Sequence, residues 1–173
     1  MVDAETTATY IVSMEIKSQR PPVQRAGVSP LESHLGYWLR FVSNQVSQAF
    51  SDKLKAHDVS VAEWVVLREL YDGNRAPSLL AERTGMTRGA ITKIADRLIA
   101  KSLVARTASE DDGRSQLLAL TRQGRALLPK LAAIADRNDA EFFDHLAPKE
   151  RALIEAAMKS IVQRLDLKAL PVD

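Results

Sequence analysis

The chain has 173 residues, 46% of them hydrophobic and 27% charged, with a formal net charge of +2 and no cysteine. That is the length of one domain with enough apolar material for a core, and the missing thiols exclude both a disulfide framework and peroxide sensing through sulfur. The charge is unevenly spread: residues 1–74 carry 7 basic and 9 acidic side chains, 75–125 carry 10 and 5, and 126–173 carry 7 and 8. A centre of +5 between flanks of −2 and −1 is the distribution expected of a chain that touches phosphate only in its middle. Asp3 and Glu5 near the start and the lack of a long apolar run argue against a secretory leader or a membrane span, so the expected location is cytoplasmic.

Residues 1–29 read as an extension. Ala4 to Gln19 admit a weak helix with Tyr10, Ile11 and Met14 on one side, ended by Pro21-Pro22; the segment is polar and its stripe short, so disorder is the alternative. Ser29-Pro30-Leu31-Glu32 then has the form of a capping box with Pro in the first helical position. Leu35, Trp38, Leu39, Val42, Val46, Ala49, Phe50 and Leu54 come next at helical spacing, which predicts a long helix over 30–58. Ser60-Val61-Ala62-Glu63 is a second capping box, and Trp64, Leu67 and Leu70 form the stripe of a shorter helix that stops around Gly73.

The next stretch is the most informative. Pro77 opens a short helix through Leu79, Leu80 and Ala81 to Gly85, and Thr87 is the N-cap of another that begins at once and reaches about Ala100. Ile91, Ile94, Ala95 and Leu98 recur at i, i+3, i+4 and i+7, so one stripe of this second helix must bury. The opposite face carries Arg88, Gly89, Thr92, Lys93, Asp96 and Arg97, short and basic side chains suited to close approach into a DNA groove. Read alone, such a face is also what any solvated amphipathic helix presents.

A hairpin pattern after this helix shifts the balance toward DNA. Leu103 to Thr107 and Ser115 to Leu120 are short strands around the turn formers Ser109, Glu110, Asp111, Asp112 and Gly113, which makes a hairpin beside the second helix. Arg114 stands at its tip, placed either to enter a minor groove or to make a surface salt bridge. Beyond it, Thr121 caps a helix with Leu127, Leu128, Leu131, Ile134, Ala135, Phe142 and Phe143 along its length. Pro148 starts a last one with Leu153, Ile154, Ala157, Met158, Ile161, Val162 and Leu165. A helix-turn-helix with a hairpin uses only about half the chain, so the outer helices must bury their stripes against something else, most simply a second copy.

These residues resemble the multiple-antibiotic-resistance regulator (MarR) family of winged-helix transcription factors. The match runs through Leu80-Ala81, Gly85, Thr92, Asp96-Arg97-Leu98, Leu103-Val104, Arg106, Asp112, Arg114, Leu120-Thr121 and Gly124-Arg125 in the family's spacing, and with the flanking helices it spans roughly residues 30 to 166. The resemblance implies a mainly α fold: one domain over 30–173, with 30–58 and 122–166 as dimerisation helices around a winged helix-turn-helix head at 61–121 that includes a short β-hairpin. It implies a homodimer on double-stranded DNA, with Thr87, Arg88, Gly89, Thr92, Lys93 and Arg97 in the major groove and Arg114 in the minor groove. Asp112 would orient the wing by pairing with Arg97 or Arg106. It also implies a small aromatic or anionic effector, for which Tyr37, Trp38, Phe41, Trp64 and Arg68 are pocket candidates, although an aromatic stripe at helical spacing also reads as plain core.

The sequence departs from the family pattern in several places. Ser102 stands where a glycine usually ends the recognition helix, so the helix exit must either use another conformation or accept left-handed strain. Gly113 replaces a second wing Arg, and Ala76 and Ala147 replace the hydroxyl caps before Pro77 and Pro148, losses of about 1 kcal/mol each. Val65 comes after Trp64 where urate-responsive members carry an acidic residue, which counts against urate.

Nothing favours an enzyme. His34, His57 and His145 are scattered with no i, i+4 pair, there is no Gly-rich phosphate loop, and Glu110, Asp111 and Asp112 read as a solvated turn without a further metal ligand, so no cofactor is expected. The sequence therefore predicts a homodimeric repressor released from a pseudo-palindromic operator by a ligand. A constitutive DNA-binding regulator and a helical dimerisation or protein-interaction module are the alternatives.

Overall fold

The computed structural model describes residues 27–108 and 116–167. Six helices and one hairpin make up these residues: α1 (Leu35–Lys55), α2 (Val61–Glu69), α3 (Pro77–Thr84), α4 (Arg88–Ala100), β1 (Val104–Ala108), β2 (Gln116–Leu120), α5 (Arg122–Phe143) and α6 (Pro148–Arg164). Two compact units divide the chain, Met1–Phe41 and Val42–Asp173. Among the described residues no helix is long and apolar enough to cross a membrane.

In the first unit the expected capping box at Ser29 is not formed. Pro30 precedes a three-residue 3-10 turn, Leu31–Ser33, with no side-chain cap, and His34 is extended, so α1 begins at Leu35 rather than at Pro30. The side chains here serve the turn: Ser33 Oγ donates to the Pro30 carbonyl at 2.7 Å and the Trp38 indole donates to the Glu32 carbonyl at 2.9 Å. Tyr37 meets Trp38 edge-on and stacks on Phe41.

The second unit holds the core. Leu54 of α1, Val66, Leu67 and Leu70 from α2 and its end, Leu80 of α3, Ile91 and Leu98 of α4, Leu118 of β2 and Leu131 of α5 are fully or almost fully buried. Ser60 and Glu63 close the predicted capping box at the start of α2, which ends at Glu69, earlier than expected, and turns out through Leu70 to Gly73. β1 and β2 pair antiparallel from Val104↔Leu120 to Ala108↔Gln116, within one residue of the predicted strands. A third piece joins them: Arg75 exchanges two backbone hydrogen bonds with Leu118, at 3.0 and 2.8 Å.

Close packing fixes the start of α5. Thr121 caps the helix by accepting from the Gly124 N–H at 3.0 Å, while its hydroxyl donates to the Ser102 carbonyl at 2.7 Å. A Cβ on Gly124 would stand 2.1 Å from the Leu103 carbonyl oxygen, so only glycine fits where this helix meets β1. Pro129 lies inside the 22-residue α5 and leaves the carbonyl four residues earlier without its usual N–H donor. α6 has no buried residue, and its Leu153, Ile154, Met158, Ile161, Val162 and Leu165 are between 42% and 71% exposed.

Candidate nucleic-acid interface and ligand groove

The helix-turn-helix forms where the sequence places it. Gly85 leaves α3 in the left-handed conformation at φ 69°, and Thr87 caps α4 by accepting from the Ala90 N–H at 3.1 Å. Ile91, Ile94, Ala95 and Leu98 are buried, whereas Thr87, Arg88, Gly89, Thr92, Lys93, Asp96 and Arg97 face solvent. An added Cβ at Gly89 would meet nothing within 4 Å, so this face is open to a close partner. Thr92 donates its hydroxyl to the Arg88 carbonyl at 2.9 Å, one turn back in the same helix.

The four cations around this face are not equivalent. Arg88 and Lys93 make no ion pair among the described residues, so their charges are available to phosphates or base edges. Arg106 reaches from β1 to Asp96 at 2.6 Å, and Arg97 donates through Nε to Glu63 at 3.3 Å. The two Arg residues weighed as partners for Asp112 are therefore engaged by α4 and α2. Asp112, Gly113 and Arg114 lie outside the described residues, as does the extension up to residue 26.

Glu63 is the hub behind the reading face. Its side chain is 3% exposed, and it accepts from the Ser60 N–H at 2.9 Å, from Lys101 at 3.1 and 3.2 Å and from Arg97. Burial pushes its carboxyl pKa up, but the Ser60, Lys101 and Arg97 hydrogen bonds outweigh that and hold it below the ordinary glutamate value of 4.5. Lys101 also donates to the Asp58 carbonyl at 2.5 Å, which ties the end of α4 to the turn before α2.

On another side of α2 lies a groove of about 1100 Å³ between α1, α2 and α5. Phe50, Trp64, Asn138, Asp136 and Asp139 are among its walls, and Ser60, Val61 and Ala62 bring the first turn of α2 to it. Phe50 and Trp64 meet edge to face with ring centroids 6.2 Å apart. Asn138 is 3% exposed; its amide donates to the Val46 carbonyl at 3.2 Å and its oxygen accepts from Lys53 at 2.8 Å, which pins α5 to α1.

Of the five residues expected to form a pocket, Trp64 alone is in this groove's wall. Tyr37, Trp38 and Phe41 cluster with one another in the first unit, and Arg68 pairs with Asp72 at 3.1 Å and lies over the Tyr71 ring. Sequence reading missed Asp136, Asn138 and the clamping role of Glu63. Only Glu63 left a signal, an acidic side chain in the first turn of a helix whose neighbours are apolar.

A model described as the MarR family matches residues 57–115, a span that takes in α2, α3, α4 and β1. A mutant MarR from Escherichia coli, solved in complex with operator DNA, superposes with a TM-score of 0.67 at 25% identity over 74% of this chain and 93% of that one. The chain is similar to the MarR family across this span and in its fold. Among its relatives, the HTH-type transcriptional regulator PrsX of Escherichia coli is 28% identical over 141 residues, or 79% of this chain and 85% of PrsX. BpsR of Bordetella bronchiseptica, whose DNA binding is regulated by 6-hydroxynicotinic acid, is 25% identical with a TM-score of 0.69 over 78% of this chain and 97% of BpsR. On these likenesses the chain is a DNA-binding transcriptional regulator with the winged-helix fold.

Proposed function

We propose that this regulator is a homodimeric repressor that holds a pseudo-palindromic operator until a small molecule releases it. The observation that carries the reading is the double role of the first turn of α2: Ser60, Val61, Ala62 and Trp64 wall a groove of ligand size, while Glu63 between them clamps Arg97 and Lys101 at the end of α4. A ligand that displaces this turn moves the clamp on the reading helix. Affinity for operator then falls by the same factor by which DNA weakens the ligand.

In this reading Arg88 and Lys93 make the principal phosphate and base contacts from α4. Thr87, Gly89 and Thr92 allow close approach, and Arg97 supports the helix from behind while keeping part of its guanidinium outward. Arg114 enters the minor groove, and Asp112 orients the wing together with Arg106. The homodimer is supported by α6, whose apolar side chains stay 42% to 71% exposed among the described residues. Two copies would set their recognition helices about 34 to 36 Å apart, one turn of DNA. BpsR, with its small-molecule regulator, supports the ligand response.

Footprinting with a salt titration, run beside light scattering of the free protein, tests the proposal. A dimer that protects a pseudo-palindrome, with log affinity falling about 0.9 per phosphate contact against log salt, is expected. A monomer, or binding without sequence preference, would overturn it. A specific dimer that no small molecule releases would instead identify a constitutive regulator.

A further inference from the structure

The groove between α1, α2 and α5 is acidic. Its charged wall residues are Asp136 and Asp139, and Ser43, Asn44, Gln45 and Gln48 add hydrogen-bonding groups without positive charge. The neighbouring cations are already matched: Arg151 is ion-paired with Asp139, and Lys53 is held by Asn138 and by Glu141 at 2.5 Å. Asp136 makes no ion pair or side-chain hydrogen bond among the described residues. The one positive element is the N-terminal end of α2, and the Glu63 carboxylate in its first turn already answers that dipole.

The same groove has an aromatic corner. Trp64 and Phe50 both line the groove and are only partly buried, so they offer apolar surface to a guest. An unpaired carboxylate and an indole in one groove favour a guest with a positive head and an apolar body, through Coulomb attraction and cation–π contact. An anionic guest would meet Asp136 with no cation on the groove wall to offset it.

We infer that the groove takes an organic cation, an ammonium or amidinium compound with an aromatic or alkyl body, with Asp136 as counter-ion and Trp64 and Phe50 as the apolar wall. This rests on the proposed ligand response for the location of the site. It replaces the aromatic anion that the family resemblance implies with the opposite charge.

Two probes of similar shape and opposite charge test it: 4-phenylbutylammonium and 4-phenylbutyrate, titrated calorimetrically into the full chain at pH 7.5. The cation is expected to bind about ten-fold or more tighter than the anion, and Asp136→Asn should reduce that ratio to about three-fold or less. Equal or tighter binding of the anion, no binding of the cation, or a ratio unchanged in Asp136→Asn overturns the inference. Footprinting with the same probes keeps the two readings apart. A cation that binds through Asp136 but leaves the operator occupied supports the ligand class and counts against the release mechanism.

Discussion

Lys101 at the end of α4 and Glu63 in the first turn of α2 are joined through both carboxylate oxygens, at 3.1 and 3.2 Å, with the glutamate side chain 3% exposed. A carboxylate that far from water is tolerable because two cations and a backbone N–H surround it. The pairing fixes the recognition helix against the helix that walls the groove.

Glu63→Gln keeps the shape and removes the charge, so it should cost about 1 to 3 kcal/mol at neutral pH, read by urea denaturation. The native carboxyl is held below its unfolded value of 4.5, so its stabilisation is fully present above that value and is lost as pH falls through the native pKa. The gap between wild type and Glu63→Gln should therefore narrow on acidification from about pH 5 to pH 3. A gap constant with pH would show that the charge is not what stabilises this contact.

Arg88→Ala and Lys93→Ala should each weaken operator binding and lower the salt slope by about one, with little change in melting temperature. Arg97→Ala is expected to differ, losing stability as well, since its guanidinium serves Glu63. Identical behaviour of all three variants in footprinting and thermal melts would refute this division of labour.

For the wing, Arg114→Ala should reduce operator affinity by about 1 to 3 kcal/mol with thermal stability nearly unchanged. Asp112→Ala should harm both. Normal operator binding by the Asp112 variant would remove its orienting role.

Ser102 sits in the left-handed conformation at φ 58°, and the Leu103 N–H behind it reaches the Leu98 carbonyl at 2.9 Å to close the end of α4. Ser102→Gly should stabilise the protein by about 1 kcal/mol by relieving the backbone. Gly124→Ala should do the opposite, costing about 3 kcal/mol, because its methyl would collide with the Leu103 carbonyl. Denaturation midpoints that move in the same direction for both would contradict these assignments.

Local signals were legible in the sequence and distant ones were not. The caps at Ser60, Thr87 and Thr121 and the exit at Gly85 depend on neighbours within a few residues and formed as read, and at Ser102 the strained of the two possible exits is the one adopted. The capping pattern at Ser29 failed because His34 is extended and α1 starts only after it. The groove leaves no such local signal. Its wall is assembled from three helices distant in sequence, and an aspartate of α5 looks like any other exposed acid until the fold puts it in one groove with Trp64 and Phe50.

The backbone pairing of Arg75 with Leu118 has an architectural consequence. One hydrogen-bonded bridge joins the segment before α3 to the middle of β2, so α3, α4 and β1 lie between its two ends in the chain. The ties from this segment to the rest of the chain include Arg97 and Lys101 on Glu63, and the Ser102 carbonyl on Thr121. A change in the α3–α4 pair can therefore reach the groove through these ties, Glu63 foremost.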